Sequence, residues 1–452
     1  MTDDRLPLGP TGRPARRATL TGLTGLATGA ALTALAAGNG TAYAAAPARS
    51  GQSAQLAQPA RPARHHGHGR GPSVRFATFN TSLNRPTQGG LLKDLATRTD
   101  AQAKAVAEIV QRVRPDVILL QEFDYDSGHE ALALFERHYL GVAQHPGVAP
   151  LHYGHRFLAP VNTGVPTGID VDGRNGAVTT PGSGAYADDC YGYGLFPGQY
   201  GMAVLSRFPI DVRRVRTFQK FLWRDMPGNA IPDAYYTDAA RQILRLSSKS
   251  HWDVPIRIGG ERVHFLVDHP TPPVFDGPDD HNGHRNHDEI RFWADYVRGG
   301  RTASYIYDDL GDRGGLCRDE LFVVAGDHNA DPYDGDSYEH AIRQLLDSDR
   351  VNLPAVPPAS AGGVEAAALQ GGANAGQSGN PAYDTIDSRD NGPTAPGNLR
   401  LDVVLPSHGL EPGDNGVFWP TTDSDLYRLT GDGKTVVSSD HRLVWQDMRV
   451  AR

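Results

Sequence analysis

Short apolar runs of strand length, each stopped by a polar residue, constrain this chain more than any other feature of its sequence. Asp116-Val117-Ile118-Leu119-Leu120 follows Pro115 and ends at Gln121-Glu122. The pattern recurs in Gly201-Met202-Ala203-Val204-Leu205-Ser206, in Val263-His264-Phe265-Leu266-Val267-Asp268 before His269, and in Leu321-Phe322-Val323-Val324-Ala325 before Gly326-Asp327-His328-Asn329. Leu401-Asp402-Val403-Val404-Leu405 and Arg442-Leu443-Val444-Trp445 complete the set. Runs this short, bounded by turn residues, read as buried strands. Val74-Arg75-Phe76-Ala77-Thr78-Phe79 alternates instead and stops at Asn80. Residues 241–248 and 253–258 read as consecutive strands. Helical spacing is expected over Ala101–Val113 and His287–Val297. Interleaved helices and strands, several adjacent in sequence, predict a mixed-sheet α/β sandwich rather than a regular barrel.

The two ends of the chain differ in kind. Residues 1–46 carry Arg16-Arg17, a weakly hydrophobic Ala/Gly/Thr/Leu stretch and small residues around Ala42-Tyr43-Ala44. That reads as a twin-arginine export signal and implies secretion. Residues 47–72, rich in Pro, Ala, Gln, Arg and His, read as a disordered linker. The folded domain is then expected over 73–452, with long insertions near 142–200 and 352–398, the first a candidate substrate rim and the second a flexible excursion. No apolar run beyond the N-terminus is long enough to span a membrane. The chain of 452 residues has a formal net charge of −8, which disfavours a body that grips duplex DNA by broad phosphate neutralisation. Nucleic acid is therefore a possible but disfavoured partner, and a monomer is expected. Cys190 and Cys317 either form one disulfide or remain free thiols.

Polar residues recur where apolar strands run out: Asn80, Glu122, His269, Asp327 with Asn329, and the pair Asp440-His441, while Asp402 opens its own strand. Side chains at strand ends converge on one crevice in sheet enzymes. These residue types suit an anionic ester. Hard carboxylate oxygens hold a divalent cation that neutralises phosphate and stabilises a leaving oxygen. A neutral His takes a proton from water, and a carboxylate fixes its tautomer. Asn amides orient phosphate or nucleophile without adding negative charge.

The ordered set Thr78-Phe79-Asn80, Leu120-Gln121-Glu122, Ala203-Val204-Leu205-Ser206, Gly326-Asp327-His328-Asn329, Arg400-Leu401-Asp402-Val403-Val404 and Ser439-Asp440-His441 resembles the endonuclease/exonuclease/phosphatase superfamily, over roughly residues 73–449. The resemblance implies a four-layer α/β sandwich: two mixed β-sheets packed face to face, helices outside. It implies hydrolysis of a phosphoester by in-line attack of an activated water, with Mg2+ (Mn2+ or Ca2+ as alternatives). It implies Glu122 as principal metal ligand with Asn80 beside it, Asp440 at the metal or the water, and Asp327 with Asn329 orienting water and phosphate. His441 corresponds to the catalytic histidine, Asp402 to its carboxylate partner and His269 to a phosphate contact. His441 is expected to pair with Asp402 rather than with its neighbour Asp440, because adjacent extended residues face opposite ways.

The segment from Asp268 to Glu289 departs from the better-known members. Arg285 and His287 are candidate phosphate contacts. His281, His284 and His287 have the spacing of metal ligands, or else belong to a polar loop feeding a helix capped by Asn286 or a neighbour. Other features have plainer readings. Gly192, Gly194, Gly198 and Gly201 lack the strand-loop-helix setting of a phosphate cradle and read as turns. Asp331-Pro332-Tyr333-Asp334-Gly335-Asp336 echoes a calcium loop without its closing Glu. Phe218, Phe221, Leu222 and Trp223 read as a partly buried turn rather than a membrane-docking hairpin.

Overall fold

A computed structural model of the chain describes residues 73–388 and 395–450. The expected export signal and linker lie outside the described residues. The strands are β1 (Ser73–Asn80), β2 (Val117–Gln121), β3 (His155–Phe157), β4 (Met202–Ser206), β5 (Arg216–Thr217), β6 (Trp252–Ile258), β7 (Glu261–Val267), β8 (Leu321–Asp327), β9 (Asp402–Pro406), β10 (Leu410–Val417) and β11 (Val444–Val450). They form a mixed six-stranded sheet, ordered β10-β11-β1-β2-β4-β3, and a mixed five-stranded sheet, ordered β5-β6-β7-β8-β9.

Alternation along the strands builds four layers. Phe76, Val117, Leu119 and Val204 of the first sheet pack with Val254, Phe265, Val323 and Val404 of the second, forming the inter-sheet core. The intervening residues Ala77, Phe79, Ile118, Leu120 and Leu205 face outward, against α1 (Gly90–Ala96), α2 (Ala101–Val113) and α3 (Glu130–Phe135). A short α4 (Gly184–Asp188) interrupts the 142–200 segment. On the far side Leu266, Phe322, Val324, Val403 and Leu405 pack under α5 (Asp238–Ile243), α6 (His281–Arg298) and α7 (Arg343–Leu346). The central strands β2, β4, β8 and β9 are thus buried on both faces, which explains their near-continuous hydrophobic runs.

Register brings the strand ends together. β1 and β2 run parallel, with Asn80 opposite Gln121. Antiparallel β4 and β11 begin at that same edge, with Met202 opposite Gln121 and Val444 opposite Thr78. The second sheet repeats the arrangement: β7 and β8 are parallel, and antiparallel β6 and β9 begin at their ends, Trp252 opposite Val267 and Asp402 opposite Asp327. Two side-chain bridges tie the sheets there: Asn80 Nδ2 to Asp327 Oδ2 at 3.0 Å, and Gln121 Nε2 to the Asp268 carbonyl at 3.2 Å.

Several expectations need correction. Residues 241–248 hold no strand: Thr237 Oγ1 accepts the Ala240 N–H at 3.2 Å, and the chain turns into α5. The helix expected from His287 begins at His281, and Asn286, rather than capping it, is buried and donates to the Thr271 and His328 carbonyls. The 352–398 segment is not simply a flexible excursion: it carries α8 (Ala361–Gln370), capped by Ser360, and leads to Thr385 at the catalytic edge. Cys190 is buried and Cys317 exposed, and both are free thiols. Phe218, Phe221 and Trp223 are core residues of the second sheet's outer layer. Gly192 sits in a close approach, where a Cβ would lie 1.9 Å from the Ser248 carbonyl oxygen. The Asp331 loop is a turn, its carboxylate accepting the N–H groups of Tyr333, Asp334 and Arg400. Among the described residues, no helix is long and apolar enough to cross a membrane.

Candidate active site

Glu122 follows directly on β2 with φ of 52°, a left-handed backbone that costs a glutamate about 1 kcal/mol. Its carboxylate accepts hydrogen bonds from Asn80 (3.2 Å) and Asn84 (2.7 Å). Asn80 also reaches Asp327, so one amide links the carboxylates of both sheets, while its oxygen accepts the Ser82 N–H at 3.2 Å. Burial, and then the charge of Asp440, pushes Glu122 up to about 7, against the pull of His441, Asn80 and Lys249. Asp440 is exposed and takes the Ser82 hydroxyl at 2.7 Å.

His441 lies just before β11, with Nδ1 2.8 Å from Asp402 Oδ2 and Nε2 3.5 Å from Asp327 Oδ2. The expected cross-strand pairing with Asp402 is the one observed. Burial alone would lower the His441 pKa, but Asp402 and Asp327 outweigh it and hold it well above its ordinary value. The two carboxylates thus favour the protonated imidazole. Asp327 is buried too, yet His441, His269 and Asn80 hold it well below the usual carboxylate range. His269 Nε2 stands 3.3 Å from Asp327, and burial followed by the Lys249 charge lowers its pKa to about 4. Asn329, also left-handed at φ 52°, donates to the Pro270 carbonyl at 3.1 Å.

Asp327, Asp402 and His441 each offer one ligand atom within 4.8 Å of the others. Asp402 Oδ2, however, is already taken by His441 and by Thr385 Oγ1 at 2.8 Å, so this trio is a hydrogen-bonded dyad beside a carboxylate. A cation fits better at Glu122. There a half-buried carboxylate faces a second acid, Asp440, and among the described residues only amides hydrogen-bond to it, with no cation paired to it.

Two expected residues serve elsewhere. Arg285 is buried on α6 and gives its guanidinium to the carbonyls of Leu246, Arg245 and Tyr191. His287 sets Nδ1 3.1 Å from Asp288 and its ring edge against Tyr338. His281 stacks on Tyr235, and His284 Nδ1 meets the Ala230 carbonyl at 2.8 Å, so the three histidines form no common ligand set. Sequence reasoning missed Asn84, Thr385 and Lys249. Lys249 precedes β6 and lies at the shared edge because antiparallel strands start where parallel ones stop.

A two-sheet α/β sandwich with a carboxylate-fixed histidine and clustered carboxylates where the strand ends of both sheets meet suits hydrolysis of an anionic ester. The chain belongs to the endonuclease/exonuclease/phosphatase family, whose sequence profile matches residues 77–441. It is a hydrolase acting on phosphoric ester bonds. Among solved structures it is similar to an endonuclease/exonuclease/phosphatase from Beutenbergia cavernae (15% identity, 84% of this chain and 72% of that one, TM-score 0.44). It is also similar to sphingomyelinase C from Streptomyces griseocarneus (18% identity, 83% and 99%, TM-score 0.40) and to the human Nocturnin catalytic domain (15% identity, 83% and 93%, TM-score 0.40). A search of curated proteins found no match.

Proposed function

We propose that the chain is an exported, divalent-metal-dependent phosphoesterase that hydrolyses phosphomono- or phosphodiesters by attack of an activated water on phosphorus. The observation that carries this reading is the continuous link Glu122–Asn80–Asp327–His441–Asp402 across the two sheet edges. Glu122, with Asn80 and Asp440 nearby, would hold Mg2+, or Mn2+ or Ca2+, which when bound would supply charge neutralisation at the phosphate and the leaving oxygen. Asp327, kept ionised, takes the proton that the nucleophilic water loses as its oxygen bonds to phosphorus, and Asn329 holds that water's orientation. His441, kept protonated by Asp402, donates from Nε2 to the oxygen that gains charge. His269, kept neutral, contacts the phosphoryl group. Export rests on residues 1–46, with their paired arginines and small-residue cleavage site.

The net charge of −8 favours small phosphoesters or head groups over duplex DNA. The test is a panel of bis-p-nitrophenyl phosphate, p-nitrophenyl phosphate, sugar phosphates, phospholipids, RNA and plasmid DNA with Mg2+, Mn2+ or Ca2+, against EDTA. Turnover of a small ester that needs the metal and vanishes in His441→Ala is expected. Plasmid DNA as the best substrate would move the reading to an extracellular nuclease; no turnover of any ester would overturn it.

A further inference from the structure

We propose that Lys249 binds the substrate, its ammonium taking a non-bridging oxygen of the scissile phosphoester. This rests on the hydrolytic reading above but names a residue and a contact that the family set does not supply.

Lys249 is only 6% exposed. Its Nζ makes one long hydrogen bond, 3.4 Å to the Pro270 carbonyl, and among the described residues it has no ion-pair partner. The same carbonyl accepts Asn329 Nδ2 at 3.1 Å. The ammonium therefore lies within two hydrogen-bond lengths of the amide expected to orient the phosphate. It is felt at Glu122 and at His269, and Glu289, Glu122 and Asp327 act on it in turn, so it shares the electrostatic environment of the cation site and of the Asp327–His269 pair. An interior ammonium with most of its donor capacity unused is unfavourable unless something supplies acceptors.

The backbone around it is held firmly while its head is not. Glu289 accepts the Ser248 N–H on one oxygen and the Thr271 N–H on the other, both at 2.6 Å, clamping the two chain segments on either side of Lys249 and Pro270. Asn162 donates its backbone N–H to the Lys249 carbonyl and its side-chain amide to the Ser247 carbonyl, each at 2.8 Å. Gly192 leaves no room for Ser248 to move towards it. A fixed stem carrying an underused point charge at an acidic site is preorganised for an anion. In phosphoryl transfer, charge sits on the non-bridging oxygens, where one ammonium stabilises the transition state without competing for the water. The aliphatic stem fills the interior whether or not the head binds anything, so the alternative is a purely packing lysine.

Lys249→Met keeps the stem and removes the charge. With Mg2+ present, kcat/KM for bis-p-nitrophenyl phosphate should fall about 100-fold, while the melting temperature stays at or above wild type because an unpaired buried charge is gone. Inorganic phosphate should raise the melting temperature of wild type and leave that of the variant unchanged. Lys249→Gln, which retains a donor for the Pro270 carbonyl, should behave like Lys249→Met. A variant with wild-type kcat/KM and intact phosphate stabilisation overturns the proposal. If neither variant folds, the wild-type protein decides. Phosphate should slow amine acylation at Lys249 several-fold, read by mass spectrometry, relative to Lys93, Lys104, Lys220 and Lys434; equal slowing at all five overturns it. Phosphate binding is read without turnover, so a wild-type protein inactive on every ester would sink the hydrolytic reading separately.

Discussion

His441 holds its proton between two carboxylates, Asp402 at 2.8 Å and Asp327 at 3.5 Å. Asp402→Asn keeps the shape and removes the charge that stabilises the imidazolium. By comparison with dyads of this kind, kcat should fall roughly 10³-fold or more with KM little changed, as steady-state kinetics will show. His269 gives a second test. Burial and Lys249 depress it to about 4, so the folded chain leaves it neutral while the unfolded chain protonates it near its ordinary value. The unfolded state then binds more protons across that window, and stability is lost as pH falls from about 6.5 towards 4. In EDTA, urea unfolding of wild type should lose about 2 kcal/mol more between pH 7 and pH 5 than His269→Gln does. Asn80, Glu122 and Asp327 were legible because each stops an apolar run, and Asp440-His441 because it closes the ordered set of motifs. Lys249 and Thr385 were not. Lys249 precedes its strand, and Thr385 reaches Asp402 from a segment without hydrophobic periodicity, so neither ends an apolar run.

The segment 247–251 is the element on which the site leans, since α6 holds it through Glu289 and the 142–200 segment holds it through Asn162 and Gly192. Gly192→Ala forces a methyl group against the Ser248 carbonyl at 1.9 Å. It should lower stability by about 2 kcal/mol and cut kcat/KM by shifting Lys249, measured by urea unfolding and kinetics on one sample. A variant with unchanged stability would mean that the segment moves freely. The central strands β2, β4, β8 and β9 were readable as elements because two-sided burial makes them apolar almost throughout. Residues 241–248 misled because Leu244 and Leu246 flank Arg245 as in a strand, a short pattern overridden by the Thr237 cap and by packing of Ala240 and Leu244 into the outer layer. The start of α6 was hidden for a different reason: its first turn is polar, and its N-cap Asp280 makes no side-chain capping bond.

The described residues form one pair of sheets whose three apolar clusters stack between and outside them, and among them no disulfide ties the layers. A thiol reagent should therefore titrate one cysteine, Cys317, in the native protein and two after denaturation, with reductant leaving the melting temperature unchanged. Two unreactive thiols in the denatured, unreduced chain would point to a disulfide instead. The layers also bring the two sheet edges together, and the central claim is that a metal at Glu122 and the His441–Asp402 dyad act across them on one phosphoester. The most direct measurement is bis-p-nitrophenyl phosphate hydrolysis by wild type and Glu122→Gln as Mg2+ is added back after EDTA. Wild-type activity should return with Mg2+, while Glu122→Gln stays folded and at least about 10²-fold slower at any attainable Mg2+ concentration. Full activity in EDTA, or a Glu122→Gln variant that matches wild type, would contradict it.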